Sequence, residues 1–257
     1  TNGTPATSNA TLSSGTWTSV GSTSNISASE INAVLNNGTG VTITTASAGS
    51  GTGTLTQNAG ADILKTSGGA ASLNLSSNST MTLNGNITST SNALNVSLTS
   101  AADIVLNGII ATNGGNVSAT GAIGVTLATT GNLSVTSVGS VSLTSTKNNL
   151  NMNGTLITPG NLTLTASNGT LVLPANLSAT NNLTLNQQGT TGAASTLTLQ
   201  NISATNITAN ASGALTVGGT STLTSNANGT VILTAAAGTL TDSGNITTPG
   251  NLTLTAS

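Results

Sequence analysis

Residues 158–167 read TPGNLTLTAS, and residues 248–257 repeat the same letters at an offset of 90 positions (248 minus 158). The similarity extends outward, because residues 78–90 and 168–180 are also related at this offset. The sequence therefore predicts two duplicated units, at residues 78–167 and 168–257. Repetition of this kind is typical of solenoids, in which each repeat buries its apolar side against its neighbours.

Short blocks of alternating aliphatic and polar residues recur within these units. In one of them, Leu162 and Leu164 flank Thr163. A period of two is typical of a strand with one buried side and one side in solvent. Blocks of three to five residues are short for the strands of a sandwich, and their spacing does not fit a crossover helix. The pattern predicts an all-β fold, a β-solenoid over residues 41–257.

The predicted coils take about 20 residues each and stack about 4.8 Å apart, so a duplicated unit holds four or five of them. Leu, Ile and Val are expected to point inward, with Thr, Ser and Asn outside. Gly and Asn lie between the blocks, where left-handed or bulged backbone at a corner makes a Cβ atom costly. Each coil then donates its backbone hydrogen bonds to the next coil.

Composition limits the possible functions. The chain of 257 residues has two basic and four acidic side chains, neither His nor Cys, and Trp17 as its single aromatic residue. No basic patch can form, so nucleic acid is not an expected partner. No apolar run approaches the roughly 20 residues that span a bilayer. Without His and Cys, imidazole and thiolate metal sites are excluded, and we expect no cofactor.

The only carboxylates are Glu30, Asp62, Asp103 and Asp242. Solenoid enzymes that cleave polysaccharides use clusters of acidic and basic side chains on one face for acid–base catalysis. Because these carboxylates are far apart in the sequence and His is absent, we expect no catalytic residues and no enzymatic activity. Asp62 and Lys65 are close enough to form a local ion pair.

Residues 1–40 differ from the repeats and predict an N-terminal cap segment, which would protect the edge of the first coil. A short helix is expected near residues 28–36. Ser27 and Glu30 have the spacing of a capping box, and Gly38 is placed to end the helix. Three apolar residues share one face of this helix, which we expect to pack beside Trp17: Ile31, Val34 and Leu35.

No such cap is evident at the other end of the sequence, where residue 257 follows a predicted strand in the same phase as residue 167. The last coil is therefore expected to continue into further repeats or to stack on another subunit. The residues of this possible stacking interface are Leu252, Thr253, Leu254 and Thr255.

Asn-x-Ser/Thr sequons are unusually dense. Asn and Ser/Thr two residues apart share the solvent face of a strand, so glycosylation is possible, although a chain rich in these residues also forms sequons by chance. The candidate positions are Asn86, Asn95, Asn132, Asn161, Asn176, Asn182, Asn206, Asn245 and Asn251.

Pairs of threonines two residues apart, such as Thr163/Thr165 and Thr253/Thr255, could form a flat array of hydroxyl and methyl groups like that of ice-binding solenoids. Such an array requires threonines at the same place on successive coils, whereas the sequence spaces them irregularly. Thr is in any case a good strand former. Ice binding is therefore the less favoured alternative function.

Trp17 followed by residues 26–45, ISASEINAVLNNGTGVTITT, resembles segments of filamentous-haemagglutinin-type adhesins, which are large bacterial surface proteins. Residues 104–117 and 160–166 also resemble the β-helical repeats of that family. The resemblance covers most of the chain from about residue 15, and it implies a right-handed parallel β-helix, export and adhesion. The Asn-Pro-Asn motifs of the family's secretion domain are absent, which leaves the export route open, and no ligand or catalytic residue carries over.

Together these features predict an extracellular or surface-displayed structural and adhesive fibre. Its expected partners are neighbouring repeats of a longer chain, or a host or neighbouring-cell surface. The alternative is a self-assembling filament, sheath or surface-layer subunit, since a net charge of -2 opposes association little. Exposed polar corners, such as Gln187-Gln188 and residues 147–149, would instead favour adhesion.

Overall fold

A computed structural model describes residues 7–21, 23–45, 52–189 and 196–257. The chain forms a parallel β-solenoid of about 10 turns, with 53% strand and a single helix near the N-terminus among the described residues. The predicted all-β solenoid is thereby confirmed. Its right-handed sense, which the adhesin resemblance implies, stays a prediction.

An N-terminal group of elements precedes nine coils of three strands each. The N-terminal group consists of β1 (Ala10–Ser13), β2 (Thr16–Ser19), α1 (Ala28–Asn36) and β3 (Val41–Thr44). The coils comprise β4 (Leu55–Gln57), β5 (Ile63–Lys65), β6 (Ala71–Ser77), β7 (Met81–Leu83), β8 (Ile87–Ser89), β9 (Leu94–Ser100), β10 (Ile104–Leu106), β11 (Ile109–Asn113), β12 (Val117–Gly121), β13 (Val125–Leu127), β14 (Asn132–Thr136), β15 (Val141–Ser145), β16 (Leu150–Met152), β17 (Thr155–Thr158), β18 (Leu162–Ala166), β19 (Leu171–Val172), β20 (Asn176–Ala179), β21 (Asn182–Gln187), β22 (Leu197–Leu199), β23 (Asn201–Ala204), β24 (Asn206–Ala211), β25 (Leu215–Val217), β26 (Thr222–Ser225), β27 (Val231–Ala235), β28 (Leu240–Asp242), β29 (Asn245–Thr247) and β30 (Leu252–Ala256).

The strands stack into three faces around one core. The long sheet has twelve strands in the order β1-β2-β3-β6-β9-β12-β15-β18-β21-β24-β27-β30. A nine-stranded sheet, β5-β8-β11-β14-β17-β20-β23-β26-β29, forms the second face. The third face consists of a six-stranded sheet, β4-β7-β10-β13-β16-β19, and a three-stranded sheet, β22-β25-β28. The β1–β2 pair is antiparallel, and the coils stack in parallel.

Successive coils keep their register although their lengths differ. In the long sheet, Val96 pairs with Val117, which is 21 residues later (117 minus 96). Val117 then pairs with Val141, which is 24 residues later (141 minus 117). Because the inward positions remain aligned, the additional residues of the longer coils are accommodated at the corners.

The core is a narrow stack of aliphatic side chains. Leu162 and Leu164 are fully buried, whereas Thr163 between them reaches solvent, as the alternating pattern predicts. Trp17 belongs to the same core as Ile31 and Leu35 of α1. Burial of each such aliphatic side chain contributes about 1.5–3 kcal/mol, and the regular stack repeats that contribution on every coil.

Helix α1 has the predicted bounds and ends as predicted. The backbone N–H of Thr39 donates to the Val34 carbonyl (3.3 Å), and that of Gly38 donates to the Leu35 carbonyl (3.0 Å). Gly38 has a φ of 74°, a conformation that favours glycine. This pair of bonds is the Schellman motif, which closes a helix C-terminus.

The start of α1 differs from the predicted capping box. Ser27 makes no side-chain cap hydrogen bond, and its hydroxyl contacts that of Ser29 at 2.7 Å. The hydroxyl of Thr7 instead accepts a hydrogen bond from the Ser27 backbone N–H (2.9 Å) and donates one to the Glu30 carboxylate. The predicted capping box, in which Ser27 and Glu30 bind each other directly, is therefore wrong. The Thr7 hydroxyl lies between these two residues and binds both.

Two asparagines of α1 cover the edge of the nine-stranded sheet. The Asn32 Oδ1 atom accepts a hydrogen bond from the Leu64 backbone N–H at 2.8 Å. One turn later, Asn36 Oδ1 accepts from the N–H groups of Thr66 (2.7 Å) and Ser67 (3.0 Å). These amides occupy the place of a missing strand, so the exposed edge that favours aggregation is blocked.

The predicted ion pair between Asp62 and Lys65 is wrong. Lys65 is fully buried at an inward position of β5, where its Nζ atom donates to the carbonyls of Ser67 (2.7 Å) and Ser91 (2.8 Å). Burial lowers the pKa of Lys65 below its usual value. Asp62 lies outside at the corner and accepts a hydrogen bond from the Asn86 backbone N–H (2.8 Å).

The corner glycine of the repeated TPGNL segment is required for a different reason than predicted. Gly160 is not in the left-handed region, and a Cβ atom there would lie 2.3 Å from the carbonyl oxygen of Gly139 on the preceding coil. The corners of neighbouring coils therefore approach so closely that only glycine fits.

Gln187 is buried, so the prediction of an exposed polar corner at Gln187-Gln188 is wrong for Gln187. Its side chain is fully buried, and its Oε1 atom accepts a hydrogen bond from the Leu171 backbone N–H at 2.8 Å. Leu171 lies in β19, the last strand of the six-stranded sheet. The equivalent N–H of Leu150 donates to the carbonyl of Thr170 on the next coil. Gln187 thus replaces a strand at this edge.

We predict that Gln187→Ala lowers the free energy of unfolding by about 1–3 kcal/mol, because it leaves the buried Leu171 N–H without an acceptor. Chemical denaturation followed by circular dichroism measures this difference. The matched control is Gln188→Ala, whose exposed position predicts a change within about 0.5 kcal/mol. Equal effects of the two substitutions would contradict the role of Gln187.

Candidate functional site

The outward side of the long sheet carries two parallel columns of residues, which are Ser, Thr or Asn except for Ile232, and we call it the hydroxyl face. Eleven consecutive strands contribute to it, from β2 to β30. The first column is Thr16, Thr42, Asn74, Ser97, Ser118, Ser142, Thr163, Thr184, Thr208, Ile232 and Thr253. The second is Thr18, Thr44, Ser76, Thr99, Thr120, Thr144, Thr165, Asn186, Asn210, Thr234 and Thr255.

The threonines are in register, although their spacing in the sequence is irregular. Thr120 pairs with Thr144, and Thr144 pairs with Thr165, across steps of 24 and 21 residues. The unequal spacing in the sequence predicted that the threonines do not form an ordered array, and this prediction is wrong. From β12 to β30, the signal that reveals the array is the position of each outward residue relative to the first inward aliphatic residue of its strand, which it follows by one or three positions.

Strands of the six-stranded sheet have at most three residues and present one outward residue each, whereas strands of the long sheet have at least four residues and present at least two. In the six-stranded sheet, β13 has three residues and a single outward residue, Thr126. In the long sheet, β15 has five residues, and Ser142 and Thr144 both point outward. Side chains two residues apart on a strand point to the same side of the sheet, so each strand contributes a pair of residues to the hydroxyl face.

The hydroxyl face is uncharged, and side-chain hydrogen bonds join some of its residues on neighbouring strands. The Asn210 Nδ2 atom donates to Asn186 Oδ1 at 3.0 Å, and Asn186 Nδ2 donates to the Thr165 hydroxyl at 3.4 Å. Thr and the other β-branched residues have few χ1 rotamers, so these side chains are already restricted in solution. The surface is therefore a rigid, neutral and periodic array.

The nine candidate glycosylation asparagines lie at two corners of the coils. Five precede the inward residue that aligns with Val117 in the long sheet: Asn95, Asn161, Asn182, Asn206 and Asn251. Four precede the first inward residue in the nine-stranded sheet: Asn86, Asn132, Asn176 and Asn245. We call these nine residues the corner asparagines.

Most corner asparagines bind the neighbouring coil. Asn86 Oδ1 accepts a hydrogen bond from the Ile109 backbone N–H at 2.9 Å, and Asn95 Oδ1 accepts from the Asn116 N–H at 2.9 Å. Asn132 is an exception, since its Oδ1 atom is buried without a partner. The start of such a strand has a corner Asn, then an inward aliphatic residue, then an outward Ser or Thr. This order of residues is also an Asn-x-Ser/Thr sequon. Glycosylation itself stays a prediction.

The predicted stacking residues are on β30, which pairs with β27 along one edge. Leu252 and Leu254 are each 45% exposed, although both align with columns that are fully buried on earlier coils. Thr253 and Thr255 belong to the hydroxyl face. Whether the inward pair forms an interface stays a prediction.

The four carboxylates lie on separate parts of the solenoid: Glu30 in α1, Asp62 before β5, Asp103 before β10 and Asp242 in β28. Among the described residues, no group of three or more acidic side chains could hold a metal ion. The absence of catalysis and of a cofactor stays an expectation from the sequence. Residues 147–149 are exposed, as the sequence indicated for that corner.

Within the described ranges, no helix is long and apolar enough to cross a bilayer. Comparison of the chain with protein-family models, with curated proteins and with solved structures finds no significant match. The adhesin resemblance therefore stays a proposal.

We predict that Asn206→Ala lowers the free energy of unfolding by about 1–2 kcal/mol, because it removes several hydrogen bonds between coils. Asn206 Oδ1 accepts from the Thr230 N–H (2.9 Å), and Asn206 Nδ2 donates to Asn182 Oδ1 (2.7 Å). Thermal and urea denaturation measure the loss. Asn206→Asp keeps the acceptor, as Asp62 does naturally, and is expected to retain at least half of the stability that Asn206→Ala loses. A change within error for Asn206→Ala would contradict a structural role.

Proposed function

We propose that the chain is a rigid segment of an extracellular or surface-displayed bacterial fibre, which holds a binding surface away from the cell and contacts other surfaces. The observation that carries this proposal is the continuous long sheet. Its twelve strands, about 4.8 Å apart, form a stack about 50 Å long. The backbone of each coil is hydrogen-bonded to its neighbours, so length is gained without a wide core.

The adhesin resemblance supports the same function. It rests on Trp17 with residues 26–45 and on the Thr/Asn/Gly/Leu style of the later coils. A repeat array of this type grows by adding coils, and each coil needs only its two neighbours for stability. Such an array suits reach and surface contact. Exposed corners, including residues 147–149, are where binding specificity would be added.

A self-assembling filament is the second candidate, and the net charge of -2, which opposes association little, favours it. Head-to-tail growth needs two complementary open ends. At the N-terminal end, the β1–β2 hairpin terminates the long sheet and α1 covers the nine-stranded sheet through Asn32 and Asn36. The nine-stranded sheet is therefore covered there, and the long sheet ends in an antiparallel strand that does not continue the parallel ladder, which favours the fibre segment over the polymer.

The proposed location is tested with antibodies raised against the purified chain, applied to intact and to permeabilised cells of the source organism and detected by immunogold electron microscopy. Gold on the surface of intact cells is the expected result. Label that requires permeabilisation would contradict surface display. A strain that lacks the gene controls for non-specific label.

Negative-stain electron microscopy over a concentration series separates the fibre segment from the polymer. Monodisperse rods about 50 Å long are expected at every concentration, because the N-terminal edge of the nine-stranded sheet is covered and the long sheet ends in the antiparallel strand β1. Filaments that lengthen with concentration would support the polymer instead. Loss of those filaments in Leu252→Lys/Leu254→Lys would identify β30 as their interface.

A further inference from the structure

We propose that the hydroxyl face binds the surface of ice crystals. This proposal is independent of the fibre function, since a rod can exist with or without an ice-binding side. It rests on the two columns that run along eleven strands of the long sheet and consist of Ser, Thr and Asn, apart from Ile232.

The repeat distances of the hydroxyl face are close to those of ice. Neighbouring strands are about 4.8 Å apart, and alternate residues of one strand are about 6.7 Å apart. In ice, tetrahedral hydrogen bonds of about 2.75 Å place second-neighbour oxygens about 4.5 Å apart and repeat stacked layers about every 7.3 Å. The repeat between strands and the repeat along a strand each lie within about a tenth of the corresponding ice distance, so the match holds in both directions of the face.

The chemistry of the face suits ordered water. Each Thr presents a hydroxyl group that can take a place in the water network and a methyl group that does not compete for hydrogen bonds. A charged side chain would hold its own hydration shell, and neither column contains one. The second column has Thr on eight of its eleven strands, and Ile232 is the only apolar residue in the first.

The rigidity of the hydroxyl face favours binding. The side chains are held at fixed intervals by the backbone bonds between coils, and their χ1 angles are restricted. Binding therefore costs little conformational entropy, which matters because each individual contact with water is weak. Among the described strands, the corresponding outward column of the nine-stranded sheet is less uniform, because only three of its nine residues are Thr and three are apolar: Leu64, Ala111 and Ile157.

Crystalline polysaccharide is a second periodic, hydroxylated solid, and its binding is a separate outcome of the test. Recognition of sugar rings usually employs aromatic side chains, and Trp17, the only aromatic residue of the chain, is 2% exposed. The structure therefore favours ice over polysaccharide.

The test measures inhibition of ice recrystallisation and thermal hysteresis with the full chain. The wild type is expected to inhibit recrystallisation and to shape growing crystals. Thr120→Lys/Thr165→Lys places two charges on the hydroxyl face, two coils apart, and is expected to raise the inhibitory concentration at least tenfold. Ser134→Lys/Ser178→Lys places two charges at the same spacing on the nine-stranded sheet and is expected to change it less than twofold.

Circular dichroism and melting curves verify that the variants fold. If Thr120→Lys/Thr165→Lys does not fold, Thr120→Ser/Thr165→Ser replaces it, with an expected loss of at least threefold because the methyl groups and the χ1 restriction are removed. A wild type without thermal hysteresis or recrystallisation inhibition would overturn the proposal, as would equal losses in the two lysine variants. Sedimentation with microcrystalline cellulose or chitin, without ice activity, would overturn it in favour of polysaccharide.

Discussion

The register of backbone hydrogen bonds between successive coils is the constraint on which the rest of the structure depends. A shift by one residue would turn every inward side chain of a strand to the solvent. The steps from Val96 to Val117 and from Val117 to Val141 differ by three residues, yet both keep an aliphatic residue inside. The corners absorb the difference, and close approaches such as that of Gly160 to Gly139 fix their shape.

Polar side chains complete this network wherever a strand is missing. Asn32 and Asn36 bind the edge of β5, and Gln187 binds the edge of β19. The buried Lys65 has a related role, because its ammonium group binds corner carbonyls of two coils. In this chain, which has few charged residues, side-chain amides and one amine form hydrogen bonds with those backbone groups that have no partner on a neighbouring strand. The same register aligns the outward residues, so an ordered exterior follows from an ordered core.

The sequence predicted those features that depend on local patterns. Alternation located the strands, and the spacing from Ser27 to Gly38 located α1. Interactions between distant residues could not be predicted, because they depend on which positions of different coils become neighbours. The burial of Lys65 and Gln187 and the alignment of Thr120 with Thr144 and Thr165 are of this type. The corner asparagines were recognised as a pattern, although their contacts with the next coil were not.

Deletion of one complete coil tests the register most directly. Removal of residues 141–161 joins Ser140 to Leu162, which takes the place that Val141 has in the wild type. The account predicts a β-rich circular dichroism spectrum and cooperative unfolding for this variant. Removal of residues 141–150 alone shifts the register and is predicted to abolish cooperative unfolding. If the complete-coil deletion also unfolds, or if both deletions fold equally well, the register is not the constraint that determines this structure.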